Sequence, residues 1–214
     1  MTPSYTQMDA QRTERNTECP SIKTVIVGDG SSGKTSLLVT FARGEFLEDY
    51  IPTVFERYTA NVTSGSQKAE IHLWDTAGQE EYDRLRPLSY TGANVVLICY
   101  DVTNPSSYEN VLTKWHPEVK HFCRGVPFLL VGCKTDLRKD KIHLRKLRES
   151  GSEPITYSQG KNLAHQIGAA MYLECSSRLQ ENVAAIFSEV VVLASSSEKR
   201  QKYKCRNGSG CAVF

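Results

Sequence analysis

The sequence predicts an α/β fold, a mostly parallel six-stranded sheet flanked by helices, and three observations predict it. Short apolar segments alternate with longer amphipathic ones along the chain. Two of the apolar runs, 95–100 and 128–131, are continuous, as strands buried on both faces are. The first apolar segment runs straight into a glycine-rich turn that opens a helix, Gly28-Asp29-Gly30-Ser31-Ser32-Gly33-Lys34-Thr35. That arrangement is the phosphate-binding motif G-x-x-x-x-G-K-[ST] in its structural context, so the domain reads as a P-loop NTPase. The chain has 214 residues, room for one such domain rather than two.

The elements follow in order. Residues 1–20 are polar and without period, and are expected to form a disordered arm. The domain is expected to occupy 21–195. Residues 22–27 read as a strand and 34–41 as an amphipathic helix. Residues 57–63 and 69–74 read as two strands around the turn Ser64-Gly65-Ser66, hence a hairpin. After the strand 95–100, Ser106 can cap a helix running to about Phe122. The strand 128–131 follows, then a helix at 158–167, a short strand at 171–173 and a last helix at 181–194. From Ser195 the residues turn small, polar and basic, so 196–214 is expected to be a flexible tail. In such a sheet, ligands bind beyond the carboxyl ends of the strands.

Composition excludes several function classes. The net charge is +2 and no stripe of aromatic and basic residues is present, so nucleic acid is not an expected partner. The seven cysteines are scattered and odd in number, which favours reduced thiols over a disulfide framework. No Cys/His spacing suits zinc. The five histidines, at 72, 116, 121, 143 and 165, form no ligand or triad set. No apolar run spans a bilayer, and Arg12 and Arg15 are not followed by the apolar region of a secretory signal. The run 138–148 reads as a solvated helix face, and Trp74 and Trp115 as packing residues.

The P-loop residue types have physical reasons. Glycines let backbone N–H groups turn inward around phosphate oxygens, and the helix N-terminus adds favourable partial charge. Lys34 can reach the β and γ phosphates, and the Thr35 hydroxyl can ligate Mg²⁺. Asp75-Thr76-Ala77-Gly78-Gln79 follows the next strand end. Asp75 can hold Mg²⁺ through water, the Gly78 N–H can approach the γ-phosphate, and Gln79 can orient an attacking water. Gly132-Cys133-Lys134-Thr135-Asp136 ends a further strand. The Asp136 carboxylate can accept both guanine N1–H and its amino group, a donor pair adenine lacks. In Glu174-Cys175-Ser176-Ser177-Arg178, a backbone N–H can meet the guanine O6. Together these segments point to GTP and GDP rather than ATP.

Those residues resemble the Ras superfamily, and within it the Rho family, over most of the chain from Ile22 onward. Tyr50-Ile51-Pro52-Thr53-Val54-Phe55-Glu56 and the run from Asp75 to Tyr90 carry the Rho likeness. Gly132-Cys133-Lys134-Thr135-Asp136-Leu137, with His121-Phe122-Cys123-Arg124-Gly125, is most similar to the filopodia-associated Rif subgroup, with the D-type Rho second. The resemblance implies a Ras-like G domain with a Rho insert helix within 137–153. It implies that Thr53, in switch I, ligates Mg²⁺ and senses the γ-phosphate, that Phe46 lies against the base, and that Tyr50 covers the phosphates. It places Ser36, Leu137, Ser177 and Arg178 with the nucleotide-binding residues and Gly30 and Lys34 beside Gln79 in hydrolysis. Switch II spans about 77–90. A GTPase-activating protein, an exchange factor, effectors on both switches and a dissociation inhibitor are the implied partners, and hydrolysis is slow until an arginine enters in trans.

The sequence departs from the family pattern at Ser31 and Ser32, at Cys133 in place of the asparagine of N-K-x-D, and at Ser177-Arg178 in place of alanine and lysine. Extra hydroxyls near the phosphates and a lost polar contact predict weaker nucleotide retention. The chain ends Cys211-Ala212-Val213-Phe214, a C-a-a-X box whose final residue favours geranylgeranylation of Cys211. Lys199, Arg200, Lys202, Lys204 and Arg206 supply a basic second signal, and Cys205 is a candidate for palmitoylation or a plain thiol. The expected location is the cytoplasmic face of the plasma membrane, with a cytosolic pool. Two functions compete: a regulated GTPase switch that controls actin and filopodia, and a fast-exchanging GTP-loaded scaffold. A P-loop kinase lacks an arginine-rich lid and leaves Asp136 unexplained.

Overall fold

The computed structural model of the chain describes residues 19–48, 53–65 and 67–207, with side chains described as far as 197. The expected arm before Cys19, Tyr50, Ser66 of the hairpin turn and the terminal box lie outside them, as do the side chains of Cys205 and the basic cluster. The described strands are β1 (Ser21–Gly28), β2 (Phe55–Ser64), β3 (Gln67–Thr76), β4 (Val95–Asp101), β5 (Phe128–Cys133) and β6 (Met171–Glu174). They form one sheet in the order β2-β3-β1-β4-β5-β6. Only the β2–β3 hairpin pairs antiparallel; the other neighbours are parallel. The expected six-stranded, mostly parallel sheet is the one observed.

Alternation along the strands divides the core between the two faces. Ile22 and Ile26 of β1, with Leu97 and Cys99 of β4, face α1 (Lys34–Arg43) and Phe187 and Val190 of the last helix. Val25 and Val27, with Val96, Ile98 and Tyr100, face Trp115 and Leu163 on the other side. Every residue of β4 is buried, because helices cover both of its faces. Each fully buried Leu, Ile or Phe side chain in these layers contributes about 1.5–3 kcal/mol relative to exposure.

Helix boundaries differ from expectation in instructive places. The helix after β4 is capped by Asn104, whose side chain accepts from the N–H groups of Ser106 and Ser107; Pro105 follows as the first helical residue. An Asn-Pro pair outranks Ser106 as a start, since Pro suits N1 and Asn caps. The helix continues as α3 (Pro105–Asn110), a π turn (Val111–Trp115) and α4 (His116–Phe122). Pro117 has no N–H to give an i→i−4 bond, and the His116 N–H reaches back to the Val111 carbonyl instead. The short α2 (Pro87–Tyr90) lies in the switch II segment. The insert helix implied by the resemblance is α5 (Lys141–Glu149), capped by Asp140. α6 (Tyr157–Ile167) opens with a reciprocal Thr156–Gln159 capping box. α7 (Val183–Asn207) does not stop near Ala194 but runs across the boundary expected at Ser195. Glu198 to Lys202 are strong helix formers, which extend the helix through a run of serines. No helix among the described residues is long and apolar enough to cross a membrane.

Candidate nucleotide site

The carboxyl ends of β1, β3, β4, β5 and β6 share one edge of the sheet, and the loops leaving them build a site of two chambers. The larger is a cleft of about 570 Å³ lined by Ser31, Lys34, Thr35, Thr53, Gly78 and Gln79, among others. The smaller, about 370 Å³, is lined by Phe46, Cys133, Asp136, Leu137, Ser177 and Arg178, among others. Gly33, Ser36, Phe46, Glu48 and Lys134 border both. The shared border makes the two chambers one extended site, with Lys34 lining one and Asp136 the other.

The loop of the first chamber is held open by its backbone. Gly33 occupies the left-handed region at φ 101° and caps α1, whose first bond runs from Leu37 N to Gly33 O at 2.9 Å. Gly78 packs so closely that a Cβ there would overlap the Gly28 carbonyl and the Gly30 amide, so no other residue fits. The Lys34 ammonium, almost wholly buried, donates to the carbonyls of Gly28 (2.8 Å) and Asp29 (2.7 Å). Burial lowers its pKa, an effect opposed by Asp75 and other anionic neighbours. Such a cation gains most from an anionic ligand.

Three oxygen donors converge beside it. The Thr35 hydroxyl donates to Asp75 Oδ2 at 2.6 Å and lies 2.7 Å from the Thr53 hydroxyl. Asp75 is fully buried, and its Oδ1 has no partner among the described residues. Burial pushes its pKa up, against the Thr35 hydrogen bond and the Lys34 charge. A buried carboxylate with one orphaned oxygen, whose other oxygen meets a hydroxyl, fits a small hard divalent cation. The placement of Asp75 behind Thr35, out of the cleft lining, agrees with contact through water.

Asp136 anchors the second chamber. The Ser176 hydroxyl donates to its Oδ1 at 2.7 Å and orients the carboxylate, which retains acceptor capacity for a ligand. Ser176 itself is buried behind Asp136, so its part in the site is support. Lys134 sits at φ 64°, and its ammonium meets Asp101 Oδ2 at 2.8 Å. The other Asp101 oxygen is held by the N–H and hydroxyl of Thr103. Asp101, the last residue of β4, and Thr103, just after it, were not anticipated from sequence, since no motif marks them. Cys133 is buried in the chamber wall and packs in one core cluster with Cys99 and Cys175. Its two thiol neighbours hold Cys133 below the usual thiol range, while burial and Cys133 itself push Cys99 and Cys175 up.

Two expectations change. Ser32 does not line the cleft: its side chain is buried, and its hydroxyl lies beneath the loop, against Gly28. The Asp29 carboxylate likewise turns away from the cleft, leaving only its carbonyl toward Lys34. The Asp29 carboxylate is held outside the cleft by Asn110 and Trp115, and the Ser32 hydroxyl packs under the loop's own backbone. Switch II has an anchor that sequence reading missed. Arg86, 3% exposed, donates to Glu118 Oε1 (3.0 Å) and to Asp83 Oδ1 (2.9 Å), and Tyr90 donates to Glu118 Oε1 (2.5 Å). Beside the switches, Val54, Phe55, Leu85 and Leu88 are exposed apolar side chains.

Comparison with known proteins adds an independent line. Residues 23–195 match the Ras family profile. The Rho-related GTP-binding protein RhoF of Bos taurus is 61% identical over 179 residues, 84% of this chain and 83% of that protein. RhoF of Homo sapiens is 57% identical over 205 residues, 93% of this chain and 97% of that protein. The Rho-related GTP-binding protein RhoD of Homo sapiens is 53% identical over 193 residues, 90% and 92% respectively.

Proposed function

The chain belongs to the Ras family, in its Rho branch near the RhoF subgroup, as a GTP-hydrolysing switch, and from that premise we propose that it directs actin-based membrane protrusion from the inner face of the plasma membrane. The observation that carries the reading is the convergence of Thr35, Thr53 and Asp75 beside Lys34, with Asp136 at the far end of the same site. The Thr35 and Thr53 hydroxyls and, through water, Asp75 would hold Mg²⁺, which would supply neutralising charge to the phosphates.

The chain's own residues supply the rest. The loop amides and Lys34 grip the phosphates and stabilise charge on the oxygens of the breaking bond. Gln79, exposed at the cleft mouth, orients the water that attacks the γ-phosphorus, giving GDP and phosphate. Arg86 is committed to Glu118 and Asp83 and supplies no finger, so an arginine in trans from an activating protein fits, worth about 10³–10⁵ in rate. Thr53 and Gly78 sense the γ-phosphate, and its loss releases both switches. The exposed Val54, Phe55, Leu85 and Leu88 form the surface that effectors read in the GTP state. Geranylgeranylation of Cys211, with the basic residues before it, anchors the chain.

Single-turnover GTP hydrolysis, with and without a Rho-type activating domain, tests the switch. Stimulation supports it. Unstimulated hydrolysis with rapid spontaneous exchange would instead favour a GTP-loaded scaffold. Localisation of a fluorescent fusion and of its Cys211→Ser variant tests the membrane arm: the variant should be cytosolic, and its persistence at the membrane would refute the anchor. Loss of filopodia on expression of a Thr35→Asn variant tests the cellular role.

A further inference from the structure

Trp115 reads from sequence as a packing residue, and its ring is fully buried. Its polar edge does something more specific. The indole Nε1–H donates to Asp29 Oδ1 at 2.6 Å, and Asn110 Nδ2 donates to Oδ2 of the same carboxylate at 2.7 Å. Asn110 immediately precedes the π turn and Trp115 is its last residue. At 3.6 residues per turn, positions five apart point about 140° away from each other. The wider turn, set by Pro117, lets both donors face one carboxylate.

The other half of Asp29 is in the phosphate loop. Its carbonyl accepts from the Lys34 ammonium at 2.7 Å and from the Ser32 N–H at 3.2 Å. One residue is thus gripped by the helix through its side chain and by the loop's cation through its main chain. The indole face also lies under the Arg86 guanidinium, 4.6 Å from the ring centre, and Arg86 is the anchor of switch II.

We propose that Trp115 is a positioning residue for the nucleotide site: through Asp29 it fixes the first turn of the P-loop, and with it the Lys34 ammonium, against the β-phosphate, while its ring sets switch II through Arg86. The inference rests on the nucleotide reading of the loop and adds to it a residue that touches no ligand. A merely structural tryptophan needs an acceptor for its N–H but has no hold on the bound phosphates.

The test uses the full chain loaded with GDP. Trp115→Phe keeps the ring and deletes the N–H; Asp29→Ala deletes the acceptor. Fluorescent GDP should leave either variant about tenfold faster than wild type, the loss expected of a hydrogen bond to a charged group. The double variant should be no faster than Asp29→Ala alone, since both changes cut one link. The ³¹P resonance of the bound β-phosphate should shift in Trp115→Phe, a signature that lost packing elsewhere would not produce. Trp115→Leu, which also removes the face under Arg86, should in addition slow single-turnover hydrolysis. Wild-type release and an unmoved ³¹P resonance in Trp115→Phe overturn the inference, as does full additivity in the double variant. If Trp115→Phe does not fold, Asn110→Leu removes the second donor, and a wild-type release rate there overturns it equally. A wild-type chain that holds no GDP overturns the nucleotide reading itself; one that holds GDP beside an unchanged Trp115→Phe overturns this inference alone.

Discussion

Asp75 shows how a residue unfavourable to the fold is kept by the site. Its carboxylate is buried with one oxygen unpartnered, at a cost of about 1–3 kcal/mol. Asp75→Asn should therefore raise the unfolding midpoint of nucleotide-free protein while speeding Mg²⁺-dependent GTP release; a lowered midpoint in the free protein would contradict the assignment. Gln79→Leu should bind GTP normally and lose most of its hydrolysis in single turnover, because only water positioning is removed. Cys133→Asn restores an amide where this chain has a thiol in the chamber wall. GDP release from that variant should slow a fewfold, the worth of one neutral hydrogen bond, and an unchanged rate would show that the thiol loses nothing. These residues were legible because their chemistry is local: the P-loop, the Asp75–Gln79 run and Asp136 each carry their type and spacing in consecutive positions. Thr53 was legible only through family likeness. Glu118, Asp101, Asn110 and the Asp29 side of Trp115 act across gaps of tens of residues, and no local pattern encodes such contacts.

At the scale of elements, the two guanine loops are tied together by an ion pair outside the chamber. Arg138, in the 3₁₀ turn Thr135–Lys139 that begins one residue before Asp136, donates to both Glu174 oxygens (2.6 and 2.8 Å) and to the Ile155 carbonyl. Glu174 ends β6, directly before the Cys175–Arg178 loop, and also accepts from Tyr172 at 2.5 Å. The pair is partly buried and bidentate, so Arg138→Ala should cost about 2 kcal/mol of stability in urea and quicken GDP release with no change in the phosphate chamber. The strands were readable to within two residues because apolar runs mark them. The helix ends were less so. Asn104 against Ser106 was a contest of two good caps, decided by the proline between them, and α7 overran its expected end because serines before a charged helix-forming run look like tail.

At the scale of the molecule, the layout explains why one small domain can both hold a nucleotide and report on it. Nearly every ligand-facing loop leaves the same edge of the sheet, so specificity for guanine and sensing of the γ-phosphate are separated only by the width of a few strands. Guanine preference is therefore a property of the β5–β6 side alone: Asp136→Ala should abolish discrimination between GTP and ATP in competition binding while the Lys34 side is untouched. The antiparallel pairing of β2 with β3 has a mechanical consequence. Thr53 lies just before β2 and Gly78 two residues after β3, and Phe55 pairs with Thr76, so both residues proposed to sense the γ-phosphate are the handles of a single ribbon about 30 Å long. Its far tip touches α7, where the Ser195 hydroxyl meets Gln67 at 3.4 Å. Because the ladder is continuous from Phe55–Thr76 to Ser64–Gln67, a tilt at the handles would carry to the tip, and a probe placed at the hairpin bend would watch the nucleotide state from the other end of the ribbon.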